Sequence, residues 1–547
     1  VQRLLKWVVL GLSLCAVASA GLITQSGPRY TPSSSSSSSS SSGGGDPDLF
    51  PSYNTLTLQI PRQTGTAGIG GASGLETTFR PYRTYPGLEY TIPVTWWGGA
   101  YPIISCVLSN APAGMVCEQY TMASGQLGWQ IRWPNPQADA LDIGITITDK
   151  LLATSSGEWD VDVTTVDMFF VDSVNDGFGD DGTITAPFDT LEQARQNTTA
   201  YSFLYFRAGT YTVVESSGTN TGDDQMEWTT STRATNWIGY PGETVTIDHG
   251  GGAYAPMIRF NETGAESAVW LQNLNFINGD EFGIYLDQAH QYGSVLWKLT
   301  FDTYGPASPG GQTNQAVVTT QHLSTFPAYG FTLLSVEMES LDTHCAFKCY
   351  DMAYDHVVGN YVHNTTNRTD SGLFAFKGNC PKQYVMANKF ESIDAGAFGG
   401  DWATADVIDG EVGGEFGYNL ILDGYNTGVG ATNAGVLIRD GPGNRQESWW
   451  YRNTFVGNIL VENYVSTDGA MIWHRNVLIN EDGANTPLNW FFDYLGSTSL
   501  VDKFTLTENL TNASTSGILD ANGLTTGATR TSNGPGSGDD VGHEIEP

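Results

Sequence analysis

Positive charge is what this chain has least of. Against 58 Asp and Glu it sets 24 Lys and Arg in 547 residues, a formal net charge of −34. Neutralising phosphates takes a basic face, so a nucleic-acid partner is not expected. A surface this acidic stays soluble in salt and attracts divalent cations, although solvated carboxylates need no ion. Cysteine is sparse too, with 6 in the chain. Setting Cys15 aside with the N-terminal apolar stretch leaves Cys106, Cys117, Cys345, Cys349 and Cys380, so at least one thiol has no partner within the mature chain. Cys106 and Cys117 flank a loop and could close a hairpin in an oxidising compartment. The other three lack the tight CxxC-type spacing of zinc sites and are expected to stack among apolar side chains.

Long apolar runs are missing as well. Trp7 to Val17 falls short of the roughly 20 residues that cross a bilayer, so no transmembrane segment is expected. Arg3 and Lys6 precede it and Ala18-Ser-Ala20 follows, which makes residues 1–20 a secretory signal peptide and the mature protein an extracellular one. Charged residues make up only 15% of the chain while Gly numbers 65 and aromatics reach 12%, a balance that suits strands and turns better than helices.

Composition divides the remainder. Residues 21–52 contain Ser33 to Ser42 and Gly43-Gly-Gly45, a flexible linker that buries nothing and that would serve a cell-surface tether. Residues 53–167 hold short alternating segments such as Leu56-Thr-Leu-Gln-Ile60, Trp129-Gln-Ile-Arg-Trp133 and Trp159-Asp-Val-Asp-Val163, split by Gly and Pro turns, the pattern of a small β-sandwich. Residues 168–547 repeat two phrases. One begins with Gly: Gly283-Ile-Tyr-Leu-Asp287, Gly372-Leu-Phe-Ala-Phe-Lys377, Gly396-Ala-Phe-Gly-Gly-Asp401, Gly435-Val-Leu-Ile-Arg-Asp440 and Gly469-Ala-Met-Ile-Trp-His474. The other is an Asn-bearing strand: Leu271-Gln-Asn-Leu-Asn-Phe276, Val358-Gly-Asn-Tyr-Val362, Met386-Ala-Asn-Lys-Phe390, Tyr451-Arg-Asn-Thr-Phe455 and His474-Arg-Asn-Val-Leu478. Neighbouring copies stand roughly 22 to 29 residues apart, the range of solenoid repeats that cannot bury a face alone. The fold class expected is all-β, a β-solenoid preceded by a small sandwich.

Two resemblances sharpen this. Pro112-Ala-Gly-Met115, Gly128-Trp-Gln-Ile-Arg-Trp-Pro134 and Ile145-Thr-Ile-Thr-Asp149 resemble the bacterial putative-immunoglobulin, cadherin-like modules, which implies an immunoglobulin-like spacer without catalysis. The stretch Val171-Asp-Ser-Val-Asn-Asp-Gly-Phe-Gly-Asp-Asp-Gly-Thr183, then Ala186-Pro-Phe-Asp-Thr-Leu-Glu-Gln-Ala-Arg195, then Phe203-Leu-Tyr-Phe-Arg-Ala-Gly-Thr-Tyr211 resembles the first coil of secreted proteins of the pectate-lyase-like superfamily. Asp540-Val-Gly-His-Glu544 resembles their close. The resemblance implies a right-handed parallel β-helix, a single-stranded solenoid whose first coil is capped by a short helix. It says less about activity, because one fold hosts lyases, hydrolases and adhesins.

Parallel coils build a groove from side chains at matching positions, so candidate residues are those that fall in one column. Superposing the Gly-started phrases aligns Gln288, Lys377, Asp401, Asp440 and His474, with Arg439 one residue off. Superposing Ala346-Phe-Lys348 on Ala375-Phe-Lys377 stacks Lys348 on Lys377 instead, and the sequence does not choose between the two. Lyases of this fold abstract the proton α to a uronate carboxylate with Lys or Arg once a cation has acidified it. Lys377 is the candidate base, with Arg439, His474 and Asp401 as further catalytic candidates and Lys348, Trp402 and Asp440 as substrate contacts. Family nine pectate lyases are similar in placing such a lysine beside aspartate-bound calcium. Their compact Asp cluster has no counterpart here, the nearest set being Asp351, Asp355 and Asp370, the candidate Ca²⁺ ligands. The reading is thus a secreted polysaccharide lyase acting on a uronate-containing glycan. A non-catalytic surface or matrix glycan-binding protein is the alternative. A third is a glycoside hydrolase using Asp394 with Asp401, or Asp406 with Asp409 and Glu411. Against the lyase stands the net charge, since a polyanion must approach this acidic chain through calcium or a local basic patch. Four histidines, His344, His356, His363 and His474, are candidate acids or metal ligands.

Overall fold

The structure is a computed structural model. It describes residues 55–61, 80–174, 180–214, 225–229, 235–251, 257–261, 268–279, 283–287, 293–305, 316–321, 328–329, 331–341, 345–350, 352–353, 355–365, 372–377, 380, 382–393, 396–400, 414–424, 436–438, 448–457, 459–461, 471–479, 504–507 and 510–511.

From Met168–Val171 onward the strands pair in parallel, coil upon coil. One sheet has 21 strands, a second has 9. Within the larger sheet two rows alternate: a first containing Phe203–Phe206, Thr332–Leu334, His356–Val358, Gln383–Met386, Gly414–Gly417, Ser448–Tyr451 and Met471–His474, and a second containing Glu337–Leu341, Tyr361–Thr365, Lys389–Ile393, Leu420–Gly424 and Thr454–Gly457. The nine-stranded sheet is the third row, from Gln225–Thr229 through Cys345–Tyr350 and Gly372–Lys377 to Ile459–Val461. The chain is therefore all-β over this region and winds as a parallel β-solenoid. Its core is continuous, with Trp237, Phe276, Phe301, Phe347, Phe374 and Phe390 all buried in one cluster. Deeper along it, Phe416, Trp450 and Trp473 stack at centroid distances of 4.2 and 4.9 Å. The expected helix is Leu191–Asn197, with a capping box between Thr190 and Gln193. Its Leu191 and Ala194 enter the first coil's core beside Val171 and Phe188.

The Asn-bearing phrase proves to be a corner with an internal spine. Gly359, Ala387, Tyr418, Arg452 and Arg475 each take positive φ, between 53° and 67°, and turn the chain from the first row to the second. The residue after each is Asn360, Asn388, Asn419, Asn453 or Asn476, all buried to 1% or less. Each side-chain Nδ2 in the first four donates to Oδ1 of the Asn one coil on, at 2.9 Å. The main-chain N–H of each donates to the same oxygen at 3.0 Å. The second hydrogen of each Nδ2, Asn476 included, goes to a carbonyl, those of Leu333, Val357, Val385, Phe416 and Trp450. A tight corner leaves backbone groups that the ladder cannot pair. The amide, with two donors and a two-lone-pair acceptor, satisfies them coil after coil.

Residues ahead of the solenoid form antiparallel sheets. Ile103–Ser109, Ala140–Asp149 and Thr154–Val163 pair in one, with Arg83–Thr84 alongside in parallel, and Tyr90–Pro93, Leu127–Trp133 and Val116–Thr121 pair in the other. The Cys106–Cys117 disulfide joins the two sheets. Ile92, Ile131, Ile143, Ile147, Trp159 and Val161 are buried in their core.

That core runs on into the outer face of the solenoid's first row, where Phe203, Ile238, Trp270, Trp297, Leu334, Val358, Tyr384 and Met386 belong to the same cluster. Polar contacts fix the seat. Trp96 Nε1 donates to Tyr384 OH at 3.0 Å, and Trp97 Nε1 donates to the Lys382 carbonyl at 2.9 Å. Trp297 Nε1 donates to Tyr120 OH at 3.0 Å. Lys298 Nζ donates to Gln130 Oε1 at 2.7 Å and lies 4.4 Å from the Tyr120 ring centroid. Gly359 has to be glycine for this contact rather than for its turn, which Ala387 and Tyr418 make on later coils, because a Cβ there would stand 2.2 Å from Met122 Sδ. The N-terminal sheets are thus docked along the solenoid rather than held apart from it.

Candidate functional site

With one solenoid face taken by the N-terminal sheets, the nine-stranded sheet is the next place for a groove. Along it Ile258, Phe260, Ile284, Leu286, Val318, Phe347, Cys349, Phe374 and Phe376 enter the core. Strand alternation therefore turns Glu227, Arg259, Tyr285, Thr319, Lys348 and Ala375 to the opposite face, and their register is continuous. Arg259 sits 5.7 Å from the Tyr285 ring centroid. Two residues along the strands a second register row reads Thr229, Asn261, Asp287, Gln321, Tyr350 and Lys377. Apart from Ala375 both rows are polar, although Thr319, Lys348 and Ala375 are buried, and adjacent coils stand about 4.8 Å apart.

This register corrects the columns drawn from sequence. Lys348 pairs with Ala375, and it is Tyr350 that pairs with Lys377, so the two lysines are diagonal rather than stacked. The residue level with Lys377 two coils before Tyr350 is Asp287, not Gln288. Gly372 does pair with Gly396, but Phe398 pairs with Val436, one residue off the alignment that set Asp401 beside Asp440. His474 leaves the column altogether. Its strand lies in the first row of the large sheet, where it pairs with Tyr451.

Of the individual candidates, Lys377 ends the strand Gly372–Lys377, and its side chain is outside the described residues. Asp351, Asp370, Asp401, Trp402, Arg439 and Asp440 lie wholly outside them. Lys348 is 1% exposed and His474 8% exposed. Asp355 is fully buried, and its Oδ2 accepts from the Cys349 thiol at 3.3 Å. Burial pushes its carboxyl up to about 7, against the hydrogen bonds from Cys349 and Gln383. Of the three candidate Ca²⁺ ligands Asp355 is the one within the described residues, and it is spent on the Cys349 thiol. His356, its neighbour in sequence, lies 5.6 Å from the Trp96 ring, and burial depresses it to about 3.

A second polar patch escaped the sequence reading apart from His363. On the second row, Glu337 pairs with Tyr361 and Tyr361 with Lys389, while Glu339 pairs with His363 and His363 with Glu391. His363 Nε2 is 3.0 Å from Glu337 Oε1, and its ring stacks on Tyr361 at 4.1 Å. Tyr361 OH donates to Glu391 Oε2 at 2.6 Å, and Lys389 Nζ lies 2.7 Å from the same oxygen. Hydrogen bonds from Lys389 and Tyr361 hold the Glu391 carboxyl below its usual range, whereas burial and the Glu391 carboxylate hold the Tyr361 phenol up. Glu337, Glu339 and His363 offer ligand atoms within 4.8 Å of one another, the group among the described residues that could hold a metal. Its imidazole suits a transition ion better than calcium. The signal was present: counted from the spine asparagines, Tyr361 and Lys389 are each the next residue, and His363 and Glu391 each the third.

No family model and no curated protein matches the chain. Among solved structures it is similar to a rhamnogalacturonan lyase at 13% identity and a TM-score of 0.18, over 57% of this chain and 74% of that one. Likeness at that level carries neither fold nor activity from one to the other. Among the described residues no helix is long and apolar enough to cross a membrane.

Proposed function

We propose that this is a secreted polysaccharide-active protein, a right-handed parallel β-helix that binds an extended glycan along the nine-stranded sheet and cleaves it by β-elimination. The observation that carries the reading is the pair of polar register rows, from Glu227 to Lys348 and from Thr229 to Lys377, repeated at the spacing of the coils. A linear polymer meets many equivalent weak contacts on such a ledge, and its orientation is fixed by the few charged ones. Lys377, beside Tyr350, is the base that takes the proton α to a uronate carboxylate; Arg259 supplies positive charge in a chain of net −34. The N-terminal sheets, an immunoglobulin-like module in this reading, brace the opposite work surface and take no part in the chemistry. No step is routed through calcium; Asp351 and Asp370, two of its three candidate ligands, lie outside the described residues.

Incubation of the full chain with pectate, alginate, ulvan and glycosaminoglycans, with and without calcium, tests the reading. Appearance of the ultraviolet absorbance of an unsaturated product on at least one of them supports it, and binding without that absorbance replaces it with the second reading. That second reading, glycan binding without turnover at a cell surface, is favoured by the burial of Lys348, which leaves one cation fewer open to substrate.

A further inference from the structure

Among the described residues three cysteines lie outside the disulfide, all of them buried, and two of them meet. Cys349 Sγ and Cys380 Sγ are 3.5 Å apart, on successive coils and 31 residues apart in sequence. Cys349 also donates to Asp355 Oδ2 at 3.3 Å, and Cys380 approaches the Cys349 carbonyl at 3.8 Å. Asp355 is fully buried, and its Oδ1 has no hydrogen-bond partner. Cys345 is buried in a different cluster, with Ala316 and Ala375. The same chain carries Cys106–Cys117 as a disulfide, so it folds where paired thiols are oxidised.

We propose that Cys349 and Cys380 are a second disulfide site, a coil-to-coil staple closed while the solenoid folds. The separation of 3.5 Å has to shrink to a bond of about 2.05 Å, a movement that side-chain rotation supplies. The oxidant is a small or protein disulfide, RSSR. Cys349 passes its proton to Asp355 Oδ2, and the thiolate attacks one sulfur of RSSR to give a mixed disulfide and one thiolate RS⁻, which takes up that proton as RSH. Cys380 then displaces the second RSH. The sum is two Cys–SH plus RSSR giving Cys–S–S–Cys plus two RSH. Because both sulfurs are fully buried in the finished coil, exchange belongs to the folding chain, before the coil above has closed. Once formed, the bond ties the strand carrying Lys348 and Tyr350 to the segment that follows Lys377.

The test uses the full chain, unfolded with reductant, refolded in a glutathione and glutathione-disulfide buffer, then quenched with an alkylating agent and mapped without reduction. The expected map contains a peptide linking Cys349 to Cys380, two hydrogens lighter than the sum of its parts, with Cys345 alkylated. The Cys380→Ala variant should lose that peptide, keep Cys106–Cys117 and show Cys349 alkylated. Recovery of both Cys349 and Cys380 alkylated from the wild-type chain, or of either one linked to Cys345, overturns the proposal.

Discussion

Asn388 donates its side-chain N–H to Asn419 Oδ1 at 2.9 Å, at a depth where both residues are buried to 1% or less. The contact is one rung of a spine that joins the corner of each coil to the next, and it explains why a run of polar residues recurs in the middle of an apolar repeat. The account makes four predictions, each with its measurement.

Replacing Asn388 by Ala leaves the Asn360 N–H and Nδ2 without their acceptor, takes the side-chain donor from the Val357 carbonyl, and leaves Asn419 Oδ1 with the residue 388 main-chain N–H but not the side-chain one. Each stranded buried group costs about 1–3 kcal/mol, partly relieved by relaxation, so a loss of about 3 kcal/mol or more is expected in urea unfolding. Asn388→Asp should be as damaging, because a carboxylate accepts but does not donate. Ala387→Gly, one residue earlier at φ 57°, should be neutral or mildly stabilising, since glycine takes that conformation without strain.

The docked N-terminal sheets should come away before the solenoid melts. Trp96→Ala removes a buried ring and its bond to Tyr384, a change of about 3–5 kcal/mol in well-packed sites. Faster hydrogen exchange at residues 92–97 and 382–386, with the spine amides at Asn419 and Asn453 unchanged, is the expected pattern. Uniform acceleration everywhere would mean that the sheets and the solenoid unfold as one.

Asp355 and His356 should pull the pH dependence of stability in opposite directions. Burial raises Asp355 from its ordinary value to about 7, so the folded state keeps a proton that the unfolded chain releases, and its contribution falls as pH rises from about 4 to 7. Burial lowers His356 to about 3, so the unfolded chain binds the extra proton, and its contribution rises with pH from about 3 to 6.5. The two nearly cancel in the wild type. In Asp355→Asn the fall is gone, so the difference in unfolding free energy, wild type minus variant, should drop by several kcal/mol between pH 4 and 7. A difference that stays flat with pH would place the ionised carboxylate in contact with water.

How far the sequence could be read depends on which residue sets the register. The Asn phrase was a sound guide where Asn388, Asn419 and Asn453 are pinned by hydrogen bonds to the coils on both sides; in Leu271–Phe276 it is Asn273 that turns the corner, at φ 55°, and Leu274 follows it. The solenoid followed from the repeated phrases, and the capping helix at Leu191–Asn197 from the first-coil stretch. The Gly phrase misled because its glycines do not share one register position. Gly372 and Gly396 pair, but Ile284 is level with Phe374, which sets Gly283 one residue off, and the strand after Gly469 belongs to another sheet altogether. A slip of one residue exchanges the inner and outer faces, which is why Gln288 gave way to Asp287. The patch of Glu337, Glu339, Tyr361, His363, Lys389 and Glu391 stayed hidden because each strand contributes only two of its members, so it emerges only when positions on successive coils are counted from the spine asparagines.

The most direct test of the functional claim is the rate of unsaturated-product formation by Lys377→Ala and Lys389→Ala chains on whichever uronate glycan the wild type cleaves. General-base catalysis contributes about 10²- to 10⁴-fold, so Lys377→Ala should lose that much in kcat with glycan affinity little changed, while Lys389→Ala, whose ammonium is tied to Glu391, keeps near wild-type turnover. Full activity in Lys377→Ala, or a comparable loss in Lys389→Ala alone, would contradict the account and move the chemistry off the nine-stranded sheet.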